Sequence, residues 1–318
     1  RKEFEMKNIK SKLTKAMMSL FLVLTSLSIN SSTVLAATSV VKGNPISGSG
    51  GFSVQYDASP SWRFSNNGPM SAISVNGDLA YCIEPMVAPI EAKTATSVSF
   101  DSLTEGTIFH IPGNENNGRA GTFKINNTQK RNIMLIANYG YGYPGHSTTA
   151  YHWATQRLIW KELGFTVTSS GSDVTNEMTN IMKLVSSHAD RPSWHKTLQK
   201  AKSGQTIKLS GANSFEFISA QSKGVSVTTS GDTFNVTVND PKNATFVTRK
   251  KQGISNGASV VWADASNISQ RVLVAKMSDP ISAYIDFEPD FGKAELTKKD
   301  TNGNTISGAV FELSKNKS

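Results

Sequence analysis

A single cysteine, Cys82, in 318 residues is the most informative scarcity in this sequence. One thiol excludes an intrachain disulfide framework and any zinc site built on several cysteines. The five histidines, His110, His146, His152, His188 and His195, are scattered and have no carboxylate or cysteine cluster beside them. No metal and no other cofactor is therefore expected. Long apolar runs are missing too: the longest, "AMMSLFLVLTSL", holds about a dozen residues, too few to span a bilayer comfortably. Excess charge is thinner than the formal +9 suggests. Residues 1–36 carry six of the 33 basic and two of the 24 acidic residues, leaving 27 against 22, a net of +5. With no basic cluster larger than Arg249–Lys251, nothing argues for nucleic acid as a partner.

What is present begins with a secretion signal. From Met6, lysines 7, 10, 12 and 15 precede the short apolar run, and small residues at Val34 and Ala36 place cleavage after Ala36. Residues 1–5 read as an upstream extension, and 37–51, rich in Gly and Ser, as a flexible linker. Strands are expected at Phe52–Asp57, Ser71–Pro85 (two strands turning at Asn76-Gly77) and Thr96–Phe100. Helical spacing dominates 128–200: one helix capped by Asn127 or Thr128 and stopped at Gly140, one from Ser147 or Thr148 to Gly164, and one whose face is Val174, Met178, Ile181, Met182 and Val185. From 203 to 290, alternating β-branched runs predict an antiparallel sandwich or barrel of about seven strands, and 291–318 opens a further β unit. The expected class is α+β, with domains at 52–202 and 203–290 and a truncated third at 291–318; the chain is expected to continue into a longer protein.

The second helix carries an anomaly. At 100° per residue Trp153, Ile159, Trp160 and Leu163 share an inward arc, Thr155, Arg157, Lys161 and Glu162 take the rest, and Gln156 falls among the apolar residues. A buried carboxamide without partners costs roughly 1 to 3 kcal/mol. An exported chain with an odd thiol is a second anomaly, for which an inert buried cysteine is the plainest account. Both are resolved if the Cys82 thiol displaces ammonia from Gln156 to leave a thioester. Such a cross-link, 74 positions long, adds at most about 4.5 kcal/mol by loop entropy. Because an amine opens a thioester readily, the bond is better understood as a loaded electrophile than as a staple.

These residues carry a resemblance. "YCIEP" (Tyr81–Pro85), "ATQRLIW" (Ala154–Trp160) and the intervening "YGYGYPG" closely resemble the thioester domains of Gram-positive surface adhesins, through Cys82, Thr155, Gln156, Ile159 and Trp160. The resemblance implies an internal Cys82–Gln156 thioester in a domain over about 52–202. It further implies a secreted, cell-wall-anchored adhesin that captures a host surface or matrix protein through an amine, expected to be a lysine. Capture is single-turnover, so the chain is not expected to be an enzyme. Tyr81, Tyr141, Tyr143, His152, Trp153 and Trp160 are the expected surroundings of the bond, and His146 or His152 could move protons there. Similarly, "AELTKKDTNGNTISGAVFEL" resembles the opening of a collagen-adhesin B-type stalk domain, in which Lys298 would be the isopeptide lysine, its acceptor lying beyond this sequence. The alternatives are a cysteine hydrolase or transglutaminase-like enzyme, and a noncovalent carbohydrate- or protein-binding β module.

Overall fold

The structure is a computed structural model describing residues 40–58, 63–85, 95–99, 108–112, 119–255, 257, 259–264, 270–277, 281–291, 297–308 and 310. The expected signal peptide lies outside these residues. The chain forms two compact units: residues up to 190 with 251–281, and residues 191–250 with 282 onward.

The first unit runs through β1 (Val40–Pro45), β2 (Phe52–Tyr56), β3 (Arg63–Asn66), β4 (Ser71–Val75), β5 (Asp78–Cys82), β6 (Ala95–Ser99), β7 (Ile108–Pro112) and β8 (Arg119–Lys124). The helices α1 (Asn127–Tyr139), α2 (Thr149–Glu162) and α3 (Thr175–Ser186) follow, with β9 (Phe165–Ser169) between the last two. In the second unit are β10 (Thr197–Ala201), β11 (Gln205–Ser210), β12 (Phe215–Phe217), β13 (Val225–Ser230), β14 (Thr233–Val238) and β15 (Thr245–Lys250). The chain then returns to the first unit as β16 (Val260–Asp264) and β17 (Val272–Val274) before β18 (Ser282–Pro289) completes the second.

Six strands in the order β1-β4-β5-β17-β16-β6 make the main sheet of the first unit, and β3-β2-β9 make a smaller one. The β4–β5 hairpin turns at Asn76 and Gly77, both at positive φ, 52° and 88°, as the Asn-Gly pair predicts. Ala80, Tyr81 and Cys82 at the end of β5 are all buried. α1 is capped by Asn126, one residue before the expected cap, because Asn126 and Gln129 form a reciprocal capping box. Thr148 caps α2, and Gly164 turns the chain out of it at a φ of 88°. On α3, Val174, Ile181 and Val185 are buried, while Met182 is exposed.

Three expectations need correction. Residues 37–51 are not simply a flexible linker: β1 pairs with β4, and Ile46 and Ser49 are buried, the Ser49 hydroxyl donating to the Ile46 carbonyl (2.8 Å) and accepting from the Met70 amide (2.9 Å). Glycine and serine here satisfy a turn under the sheet edge rather than loosen the chain. Nor is the boundary at 202–203 where the units divide, since 251–281 belongs to the first unit. β17 is buried at all three positions, the pattern of a strand covered on both faces, and it finds that cover beside β5. Finally, the second unit is not purely antiparallel. Its four-stranded sheet, β10-β18-β15-β12, contains a parallel β10–β18 pair, and β11-β14-β13 form a separate antiparallel sheet. Phe246 of β15 lies 5.2 Å from Phe234 of β14, ring centroid to centroid, so aromatic packing joins the two sheets. Among the described residues, no helix is long and apolar enough to cross a membrane.

Candidate functional site

Cys82 closes β5, and its neighbours on the sheet determine which way its backbone faces. Ile83 donates its amide to the Arg271 carbonyl (3.3 Å), and Val272 and Leu273 of β17 pair with Cys82 and Tyr81. Because alternate residues of a strand direct their N–H and C=O groups to opposite edges, those of Cys82 face away from β17. On that edge β4 pairing stops at Ala80. Gln156 fills the vacancy. Its Oε1 accepts from the Cys82 amide at 2.9 Å and its Nε2 donates to the Cys82 carbonyl at 2.8 Å, as the next peptide of β4 would. The backbone donor and acceptor leave only one orientation of the carboxamide. Both residues are closed to solvent, Cys82 at 1% and Gln156 at 0% exposure. The buried amide therefore has partners, and both belong to the backbone of Cys82, the residue that carries the lone thiol.

One turn along α2, Trp160 donates its indole N–H to the same Cys82 carbonyl at 3.0 Å. Trp160 and Trp153 meet edge to face at 6.0 Å, and Phe52 of β2 packs on both, at 5.6 and 5.5 Å. This side of Gln156 is a dry aromatic wall. Trp153 also supports the Arg157 guanidinium over its ring at 5.8 Å, so Arg157 is half-buried rather than fully solvated as the helical wheel suggests.

The other flank is Tyr81, Tyr141 and His152. The His152 ring stacks on Tyr141 at 4.8 Å and meets Tyr81 edge-on at 6.0 Å. Tyr143 lies farther out, packed against Tyr139 and His146. Thr155, expected on the solvated arc, is fully buried at 0% exposure. Its hydroxyl donates to the Tyr151 carbonyl (2.6 Å) and accepts from the Tyr141 amide (2.9 Å), which ties the Gly-rich loop to α2. Gly140 makes this possible, because a Cβ there would collide with the Thr155 side chain and lie 2.8 Å from the Ile136 carbonyl. The wheel misplaced Thr155 because α2 is packed on nearly all sides and has no single wet face.

Burial governs the titrating groups. It pushes the Cys82 thiol far up, against the weaker opposing effects of the Trp160 indole and the Glu84 backbone N–H. Burial also pushes the Tyr81 hydroxyl up and lowers His152 to about 4, so that imidazole is neutral at pH 7. His146 is committed to structure: its Nδ1 bonds the Tyr139 carbonyl at 2.7 Å. Glu84, not singled out from the sequence, is a buried carboxylate two residues past Cys82. It accepts from the Arg271 amide (3.0 Å) and faces the Arg271 side chain at 3.8 Å, and its carbonyl accepts from Gln270 (3.2 Å). Its only sequence signal was a charged residue inside a buried strand end. Lys298 is exposed, beside a turn that the Lys299–Thr305 bridge closes. No cluster of three or more His, Cys, Asp or Glu capable of holding a metal occurs among the described residues.

No family model matches the chain, and no curated protein does. Among solved structures, the thioester domain of the Staphylococcus aureus TIE protein is similar with a TM-score of 0.53 at 18% identity, over 80% of this chain and 98% of that one. The Bacillus anthracis TIE protein gives 0.33 at 11% identity over 79% of this chain and 49% of that chain, too low to support an argument. The first match shows a shared fold: this chain has the architecture of a thioester domain.

Proposed function

From that shared architecture and the pairing of Gln156 with Cys82, we propose that the chain is the covalent-capture region of a surface adhesin. Cys82 and Gln156 form an internal thioester, and a nucleophile on a host protein, a lysine amine, opens it. Formation joins the Cys82 sulfur to the Gln156 acyl carbon and releases ammonia. Capture makes an amide at that carbon and returns the thiol to Cys82. The observation that carries the reading is the paired carboxamide: both of its polar ends are held by Cys82 itself. The Cys82 amide is already aimed at the oxygen on which negative charge develops during acyl transfer.

The closed aromatic surroundings fit an electrophile that must outlast its wait in water. A cysteine hydrolase or transglutaminase is less well supported. Such enzymes depend on an activated thiolate, whereas burial here pushes the thiol up and leaves His152 a weak base. In this reading each molecule reacts once and is not an enzyme, and the protein is displayed at the cell surface. Lys298, as the isopeptide lysine of a following stalk domain, belongs to the same proposal.

Intact mass provides the test. The purified secreted chain should weigh one ammonia less than the sequence left after signal cleavage, and Cys82→Ala or Gln156→Ala should each remove that deficit. Incubation with methylamine should add one amine and expose one thiol, with no further product over time. A full-mass wild type with a freely alkylated Cys82 would refute the thioester, and product in molar excess over protein would favour the enzyme.

A further inference from the structure

Three hydrogen bonds converge on the Cys82 backbone, and they do not all survive the reaction proposed above, on which this inference rests. Before reaction the Cys82 carbonyl accepts from Gln156 Nε2 at 2.8 Å and from Trp160 Nε1 at 3.0 Å, while the Cys82 amide donates to Gln156 Oε1 at 2.9 Å. Thioester formation makes a bond from sulfur to the acyl carbon and breaks the bond from that carbon to Nε2. The thiol proton passes to the nitrogen, which leaves as ammonia. With the nitrogen goes one of the two donors to the Cys82 carbonyl. Of those two donors, Trp160 is the one that can remain from reactant to product.

We propose that the Trp160 indole N–H is a positioning donor for thioester formation: it fixes the Cys82 carbonyl against which the Gln156 carboxamide is aligned, and keeps that carbonyl satisfied once the nitrogen has left. Geometry equips it for this. Trp160 follows Gln156 by four positions, so both side chains project from one face of α2 toward the same residue. The indole is wedged between Phe52 and Trp153, at 5.6 and 6.0 Å, and cannot turn its N–H elsewhere without repacking both. A buried carbonyl with no donor is costly, and beyond its pairing with Gln156 the Cys82 edge of β5 has no β4 partner to supply one. The same N–H opposes the burial that pushes the thiol up, so it also favours the attacking thiolate.

The test separates the N–H from the ring. Trp160 is replaced by Phe and, by nonsense suppression, by 3-benzothienylalanine, which keeps the bicyclic shape but carries sulfur in place of the N–H. In the intact chain, ammonium chloride opens the thioester by the reverse reaction. Desalting then allows it to close, and closure is followed by intact mass across a range of pH. The benzothienyl protein should close roughly tenfold more slowly than wild type, the effect of one lost hydrogen bond at the reacting centre. Its pH profile should be displaced to higher pH, and its urea midpoint, measured with the thioester held open in ammonium chloride so that Gln156 Nε2 still serves the carbonyl, should stay near that of the opened wild type. The Phe variant should close at least as slowly. A benzothienyl protein that closes at the wild-type rate with an unshifted profile would overturn the role of Trp160 and leave the thioester intact. A wild-type chain that never lacks ammonia would overturn the thioester reading itself.

Discussion

Gln156→Glu exchanges one atom for another of nearly equal size and reverses a single hydrogen bond, which makes it a sharp probe of the site. Before the thioester forms, Nε2 donates to the Cys82 carbonyl at 2.8 Å, in a position with 0% exposure. An ionised carboxylate there would set oxygen against oxygen, with one backbone amide as its remaining partner. Only the protonated acid can donate to the carbonyl, so folding must raise the introduced carboxyl well above the ordinary glutamate value of about 4.3. Such a group leaves stability intact below about pH 4.3 and destabilises increasingly as pH rises toward its folded value, by about 1.4 kcal/mol per unit. Between pH 5 and pH 7 the variant should therefore lose about 2.7 kcal/mol relative to Gln156→Ala, which likewise cannot form the thioester, within a total of about 3 to 5 kcal/mol for an uncompensated buried charge. Urea denaturation at pH 5, 6, 7 and 8, compared with Gln156→Ala, measures this, because the alanine variant loses the pairing without gaining a titrating group. Intact mass should show no loss of ammonia. A pH-independent difference between variant and wild type would mean that the side chain at 156 is not held dry against the Cys82 backbone, and the argument for the site would fail with it.

Trp160→Ala opens a cavity costing about 3 to 5 kcal/mol and should shorten the thioester's lifetime in neutral buffer, while Lys161→Ala on the exposed side leaves it unchanged; equal survival, by mass and thiol titration, would show that the aromatic wall does not guard the bond. Burial lowers His152 from 6.5 to about 4, so its contribution to stability is complete above pH 6.5 and lost as pH falls toward 4, at most about 3 kcal/mol. His152→Gln should flatten the fall in stability over that window, and an NMR titration of His152 centred near 6.5 would contradict its burial against Tyr141 and Tyr81. Gly140→Ala should cost about 1 to 3 kcal/mol by forcing Thr155 and the Tyr141 loop apart; a calorimetric midpoint equal to wild type would show that the loop accommodates the extra carbon.

Side-chain chemistry and local periodicity were legible in the sequence, because both are properties of short stretches. The Asn76-Gly77 hairpin, the three helices, and the oddity of a lone thiol and of a glutamine on an apolar arc could all be read without a partner in view. So could Trp153 and Trp160, since helical spacing alone puts them beside Gln156. The wheel failed at Thr155, because it assumes one wet face and α2 has almost none. Strand pairing was beyond reach for a different reason. A buried apolar run such as Val272–Val274 satisfies its backbone equally well beside any strand that buries both its faces, and nothing in the run names that strand. Only the folded chain decides that β17 lies against β5, bringing Gln270 to Glu84 across 186 positions and so helping to hold the end of the cysteine strand. The tertiary structure also decides that β4 stops short of Cys82, which leaves one backbone N–H and one C=O unpaired by any strand for a glutamine to meet.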